Sequence, residues 1–221
     1  MSYRRTVVED PRSTLTRRAL IESAERLFAE HGIEAVSLRQ VALASGQRNH
    51  SVVPYHFGSK DGLVSAIFEW RMWHIDERRA SLLAALEAEG RLRDRRALVE
   101  AFVIPLAASL HARPVSHYAR FNEQVLSALP LDFTQILERR EDGAPFPAME
   151  ALVRTYELIR DSLDHLPAAL RTERVALGAR FVIHALADFE REAAAGRATD
   201  ADLERQVEQL VALADGMLSA P

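Results

Sequence analysis

Apolar residues recur in this chain at three- and four-residue intervals from end to end, and no run alternates with period two for long. β-branched residues do not cluster either. That pattern points to an all-α fold, because a helix repeats its buried face every 3.6 residues and a strand every two. From about Thr14 to His31, Leu20, Ala24, Leu27, Phe28 and His31 fall on one stripe, and Arg17, Arg18, Glu22, Glu25 and Arg26 lie elsewhere. Gly32 follows as the residue that ends a helix in the left-handed region without a Cβ penalty. A second helix opens at Ser37. Its "SLRQ" is a capping box, with the Ser37 hydroxyl accepting from the Gln40 amide and the Gln40 side chain reaching back. It ends near Ser45, with Gly46 as the turn residue and Val41 and Ala42 facing inward. Pro54 fits a first turn, where its missing N–H has no partner to lose. A short third helix therefore starts around His50 or Ser51, capped by Asn49 or Ser51, and Phe57 is core. The fourth helix follows Ser59, with Asp61 in its first turn, and runs to about Glu89. His74, Asp76 and Glu77 are expected on its exposed face. Further helices are expected at roughly 95–111, 115–128, 131–140, 148–164, 172–195 and 200–218, with "EDGAPFP" a loop.

Composition narrows the function. The 221 residues are 48% hydrophobic, enough for a substantial core, and there is no Cys, which removes disulfides and thiolate chemistry. No apolar run approaches ~18 residues, so no membrane span is expected. The N-terminus has no apolar h-region, and a cytoplasmic protein is expected. His111 and His117 flank Pro114 at a spacing poor for shared metal ligation, so no metal and no cofactor are expected. There is no metal motif, phosphate loop or nucleophile motif to support an enzyme. The net charge of −4 hides an asymmetry: residues 1–60 hold nine Lys/Arg against six Asp/Glu, and residues 61–221 hold nineteen against twenty-six. The basic excess sits at the N-terminal end, where it suits an acidic partner.

A helix, a capped second helix, a glycine turn and a short third helix make a helix-turn-helix, whose last helix projects outward. Arg48, Asn49, His50 and Ser51 at its start are short or planar hydrogen-bonders suited to base edges. Tyr55, His56 and Lys60 suit the sugar-phosphate backbone. Through "LFAEHGIEAVSLRQVALASG" and then "YHFGSKDGLVSAIF", residues 14–68 resemble the DNA-binding domain of the TetR family of transcriptional regulators. The resemblance adds Arg39, which matches a position that often touches a base or phosphate. There is a departure: the segment Gln47–His56 is one residue longer than is usual in the family, and Pro54 stands where the family has Tyr. The phosphate role therefore carries over to His56 and Lys60 more safely than to Tyr55.

The resemblance implies a domain order: an N-terminal arm at 1–13, a helix-turn-helix domain at 14–60, and a helical effector-binding and dimerisation domain at 61–221. It also implies a homodimer bound to a palindromic double-stranded DNA operator, acting as a repressor and released by a small-molecule effector. Ala176, Gly178, Ala179 and Ala185 allow close helix approach. With Leu203, Val207, Leu210 and Val211 they form a candidate dimer seam, though such a stripe also suits intramolecular core. Trp70, Trp73, Phe102, His117, Tyr118, Phe121, Asn122, Tyr156, Phe181 and His184 are candidates for an effector pocket. Two alternatives stay open: a regulator or activator without an effector, controlled by a protein partner, and, more remotely, a helical ligand-binding scaffold or enzyme.

Overall fold

The computed structural model of the chain describes residues 11–111, 114–129 and 149–221, and every regular element among them is a helix. In chain order these are α1 Pro11–His31, α2 Leu38–Ala44, α3 Val52–Phe57, α4 Lys60–Ala88, α5 Arg95–Ala107, α6 Tyr118–Ala128, α7 Glu150–Asp161, α8 Ala168–Ala194 and α9 Asp200–Ser219. The helix expected at 131–140 and the "EDGAPFP" loop lie outside the described residues, as does most of the expected N-terminal arm. The chain divides into two compact units, 1–68 and 69–221, and the division falls within α4.

The first unit is built on a small apolar centre. Leu20, Ile21, Ala24 and Phe28 of α1, Val41 and Ala42 of α2, Val53 of α3 and Leu63 of α4 are all fully buried. Each large side chain among them contributes about 1.5–3 kcal/mol by leaving water. The α1 stripe is rotated from the expected one: Ile21 and Glu25 are buried, and His31 is exposed. Phe57 is half-buried, with the Arg17 guanidinium of α1 lying 5.3 Å from its ring centre. It still joins α3 to α1, but through a cation over its face.

The second unit surrounds its core with α5 to α9 and the rest of α4. Helix ends inside it are satisfied by charged side chains from neighbouring helices. Asp76 of α4, expected on the exposed face, is buried instead; its carboxylate accepts from the Ala151 and Leu152 amides at the start of α7, at 2.9 and 2.8 Å. Glu190 of α8 accepts from the Ala119 and Arg120 amides at the start of α6, at 3.1 and 2.9 Å. At the far end of α6, Arg180 of α8 donates to the carbonyls of Leu126 and Leu129. A carboxylate at a helix N-terminus and a cation at its C-terminus each fill unpaired backbone groups and suit the helix dipole.

Candidate nucleic-acid interface

The turn between α2 and α3 is set by local chemistry. The Ser37 capping box forms as read from the sequence, with the Ser37 amide 2.8 Å from Gln40 Oε1 and the Gln40 amide 3.3 Å from Ser37 Oγ. At the other end of α2, Gly46 takes φ +77°, its amide donates to Leu43 O, and the Gln47 amide donates to Ala42 O. This paired closure fixes where the chain leaves α2 and needs a left-handed residue at Gly46. The start of α3 is fixed by Asn49, whose Oδ1 accepts from the Ser51 amide at 3.0 Å. Ser51 makes no side-chain cap bond, so Asn49 holds the turn two positions earlier than a cap at Ser51 would.

A polar surface results. Arg39, Arg48, Asn49, His50 and Ser51 are all exposed, and Tyr55 is 82% exposed. Arg39 and Arg48 have no carboxylate partner among the described residues. Their charges therefore face solvent uncompensated, as a phosphate-facing surface requires. His56 is half-buried, its ring edge-on to Tyr55 at 5.1 Å and tilted against Phe57 at 5.9 Å. Lys60 is turned inward: its Nζ donates to Ile33 O at 2.8 Å and to Glu34 O at 3.3 Å. It ties down the loop between α1 and α2, leaving one of its three N–H groups for an anion. The Ser59 hydroxyl accepts from the Gly62 amide at 3.0 Å and so caps the start of α4.

Gly62 was not singled out from the sequence. A Cβ there would stand 2.0 Å from the Phe57 carbonyl oxygen, so the end of α3 and the start of α4 approach more closely than any side chain allows. The signal was the second glycine of "FGSKDGL", inside a helix where glycine is otherwise unfavourable.

The expected effector residues lie in different surroundings. Trp70 and Trp73 are exposed, Trp73 at 62%. Tyr118, Phe121 and Asn122 are buried on α6, with Tyr118 and Phe121 stacked at 6.2 Å. His117 Nδ1 meets an Arg120 Nη at 2.7 Å. His184 is on the surface and pairs with Glu123 at 2.6 Å, and Arg191 also binds Glu123. Phe181 is half-buried. Phe102 and Tyr156, with rings 5.5 Å apart, line a void of about 20 Å³ walled also by Val99, Ile159, Gly178 and Leu218, among others.

The dimer candidates divide by burial within the single chain. Ala176, Gly178, Ala179, Leu203, Leu210 and Val211 are buried within this single chain, between α8, α9 and their neighbours, and are core. Ala185 and Val207 are half-exposed, and the Ala185 carbonyl accepts from Gln206. A stripe of small and aliphatic residues is equally well buried by a neighbouring helix of the same chain, and here α8 and α9 cover each other.

A capped two-helix turn bearing an uncompensated basic surface, followed by a larger all-helical unit, defines a helix-turn-helix protein. Residues 20–67 match the model of the bacterial regulatory proteins, tetR family, so this segment is similar to that family's helix-turn-helix domain. It is 35% identical over 92 residues to the HTH-type transcriptional repressor Rv3405c of Mycobacterium tuberculosis, a match covering 39% of this chain and 48% of that protein. It is 34% identical over 62 residues to the HTH-type transcriptional repressor AcnR of Corynebacterium glutamicum, covering 28% and 32%. The chain thus matches about half the length of its curated relatives, or less. A TetR family transcriptional regulator from Thermus thermophilus, PfmR, matches over 92% of this chain and 95% of its own at 21% identity and a TM-score of 0.50, a likeness of fold. These relatives are regulators, not enzymes. No helix among the described residues is long and apolar enough to cross a membrane.

Proposed function

We propose that this protein is a cytoplasmic, homodimeric transcriptional repressor that binds a palindromic DNA operator and is released by a small molecule. The observation that carries the reading is the exposed set Arg39, Arg48 and His50 on a capped helix pair, with both arginines lacking a carboxylate partner among the described residues. Phosphate contacts by the arginines position the unit, and planar side chains at the start of α3 read base edges. Repression is supported by the names of the relatives that share the helix-turn-helix. The dimer surface we assign to the outward face of α8 and α9. Leu170, Leu177 and Phe181 recur on one side of α8, and Leu213 of α9 is 56% exposed. Release follows if an effector favours an arrangement of the second unit in which the paired reading helices no longer match half-sites one turn apart.

The test is selection of duplexes from a random pool by the purified protein, then affinity for the winner and a scrambled duplex across a salt series. A palindromic winner whose affinity falls steeply and log-linearly with salt is expected. Weak, equal binding to both duplexes would count against the reading.

A further inference from the structure

Arg79 of α4 is 1% exposed, deep within the second unit. Its Nη1 donates to Asp76 Oδ1 at 3.0 Å, its Nη2 reaches the Phe102 carbonyl at only 3.5 Å, and its Nε has no acceptor among the described residues. Nε and Nη2 lie along one edge of the guanidinium plane, so an entire hydrogen-bonding edge is nearly vacant. Asp76 compensates the charge incompletely. The same carboxylate is shared with the Ala151 and Leu152 amides, where the positive end of α7 draws on it. Burial accordingly outweighs the attraction of Asp76 and lowers the pKa of the guanidinium. A buried donor edge left open costs stability and calls for an acceptor.

The surroundings indicate what that acceptor would be attached to. The guanidinium carbon stands 5.9 Å from the Phe102 ring centre, and Tyr118 and Tyr156 lie within reach of its charge. Phe102 and Tyr156 also wall the apolar void, together with Ile159 and Val182. The Arg79 guanidinium thus lies beside Phe102, an aromatic ring that is itself a wall of the void.

We infer that Arg79 anchors a small organic carboxylate, held through Nε and Nη2, whose apolar body enlarges the void beside Phe102 and Tyr156. The side-on fork matches two carboxylate oxygens, which an ammonium or a neutral donor does not. This rests on the reading of the second unit as effector-binding and gives that effector a chemical class.

The test uses the full chain without DNA. Acetate, benzoate, phenylacetate and decanoate are compared with ethanol, benzyl alcohol, 2-phenylethanol and decanol by thermal shift and calorimetric titration. At least one carboxylate should raise the Tm and bind at least ~10-fold more tightly than its alcohol, the ratio expected for a charge-assisted pair. Arg79→Met should erase that ratio, with Asp76 still held by the two α7 amides. If Arg79→Met does not fold, Arg79→Lys keeps the charge without the fork and should weaken the carboxylate about tenfold. If no carboxylate stabilises the wild type at about 10 mM, a range chosen well above the millimolar limit of weak specific binding, the edge holds water only and the inference is overturned. Equal affinity in wild type and variant overturns it too. Because binding is read without DNA, a protein that selects an operator but ignores every carboxylate fails this inference alone. One that binds carboxylates but selects no duplex fails the regulator reading alone.

Discussion

The Asn49 side chain faces two demands. Its Oδ1 accepts from the Ser51 amide to start α3, while a two-toothed contact with an adenine needs that oxygen as acceptor and the amide nitrogen as donor. A second lone pair on Oδ1 allows both. Asn49→Ala should therefore change sequence preference by roughly 1–3 kcal/mol at one base pair, read by binding a set of single-substitution operators. Equal loss on every sequence would mean that Asn49 serves the turn only. Lys60 is tied to the Ile33 and Glu34 carbonyls, which the sequence reading of a plain phosphate contact did not include. Lys60→Ala should weaken all duplexes alike and reduce the salt slope by about one unit. An unchanged slope with weaker binding would assign its effect to the loop. Gly62→Ala should destabilise the protein by more than about 2 kcal/mol in urea denaturation, despite the gain of about 1 kcal/mol in helix propensity. The Phe57 carbonyl occupies the space that the methyl group needs.

Among the elements, α6 is held at both ends by α8. Glu190 takes its first amides and Arg180 its last carbonyls. Positions 180 and 190 lie about 15 Å apart along a helix axis, close to the length of α6, so the two helices are matched in span. Burial holds the Glu190 carboxyl above the usual carboxylate range, against the amides of Arg120 and Ala119, the Ser116 hydroxyl and the Arg120 charge. The folded protein then binds this proton more tightly than the unfolded chain does. The group's contribution to stability is greatest below the unfolded carboxylate range and declines as pH rises through its folded value. Glu190→Gln removes that titration. The stability difference, wild type minus variant, should fall as pH rises from the ordinary carboxylate range in parallel melting curves. A difference that is flat or rises with pH would contradict the assignment. None of these ties was legible in the sequence. Glu190 and Asp76 each cap a helix more than sixty residues away, and a cap supplied from so far leaves no local spacing to read.

Across the whole molecule, what was legible is what is local. The capping box at Ser37, the glycine turn at Gly46 and the position of Pro54 each act over a few residues, so the helix-turn-helix could be placed from spacing alone. The second unit yielded its helices but not their partners. Ala176, Ala179 and Leu210 form a stripe whose periodicity is identical whether the covering helix belongs to the same chain or another. Leu177 and Leu213 are left outward, on the surface proposed above for a second copy. Leu177→Glu combined with Leu213→Glu should give a monomer by light scattering and lower operator affinity at least tenfold, with the helix-turn-helix untouched. A dimer that persists would move the interface elsewhere.

Lys60 is the only lysine in the sequence. Apart from the chain's α-amine, amine-directed reagents therefore have one target, and its nitrogen is already hydrogen-bonded to two carbonyls. Acylation or mass-tag labelling becomes a single-site chemical clock. Its rate reports how often the loop at residues 33–34 lets go, and its change on adding DNA reports whether that loop tightens at the interface.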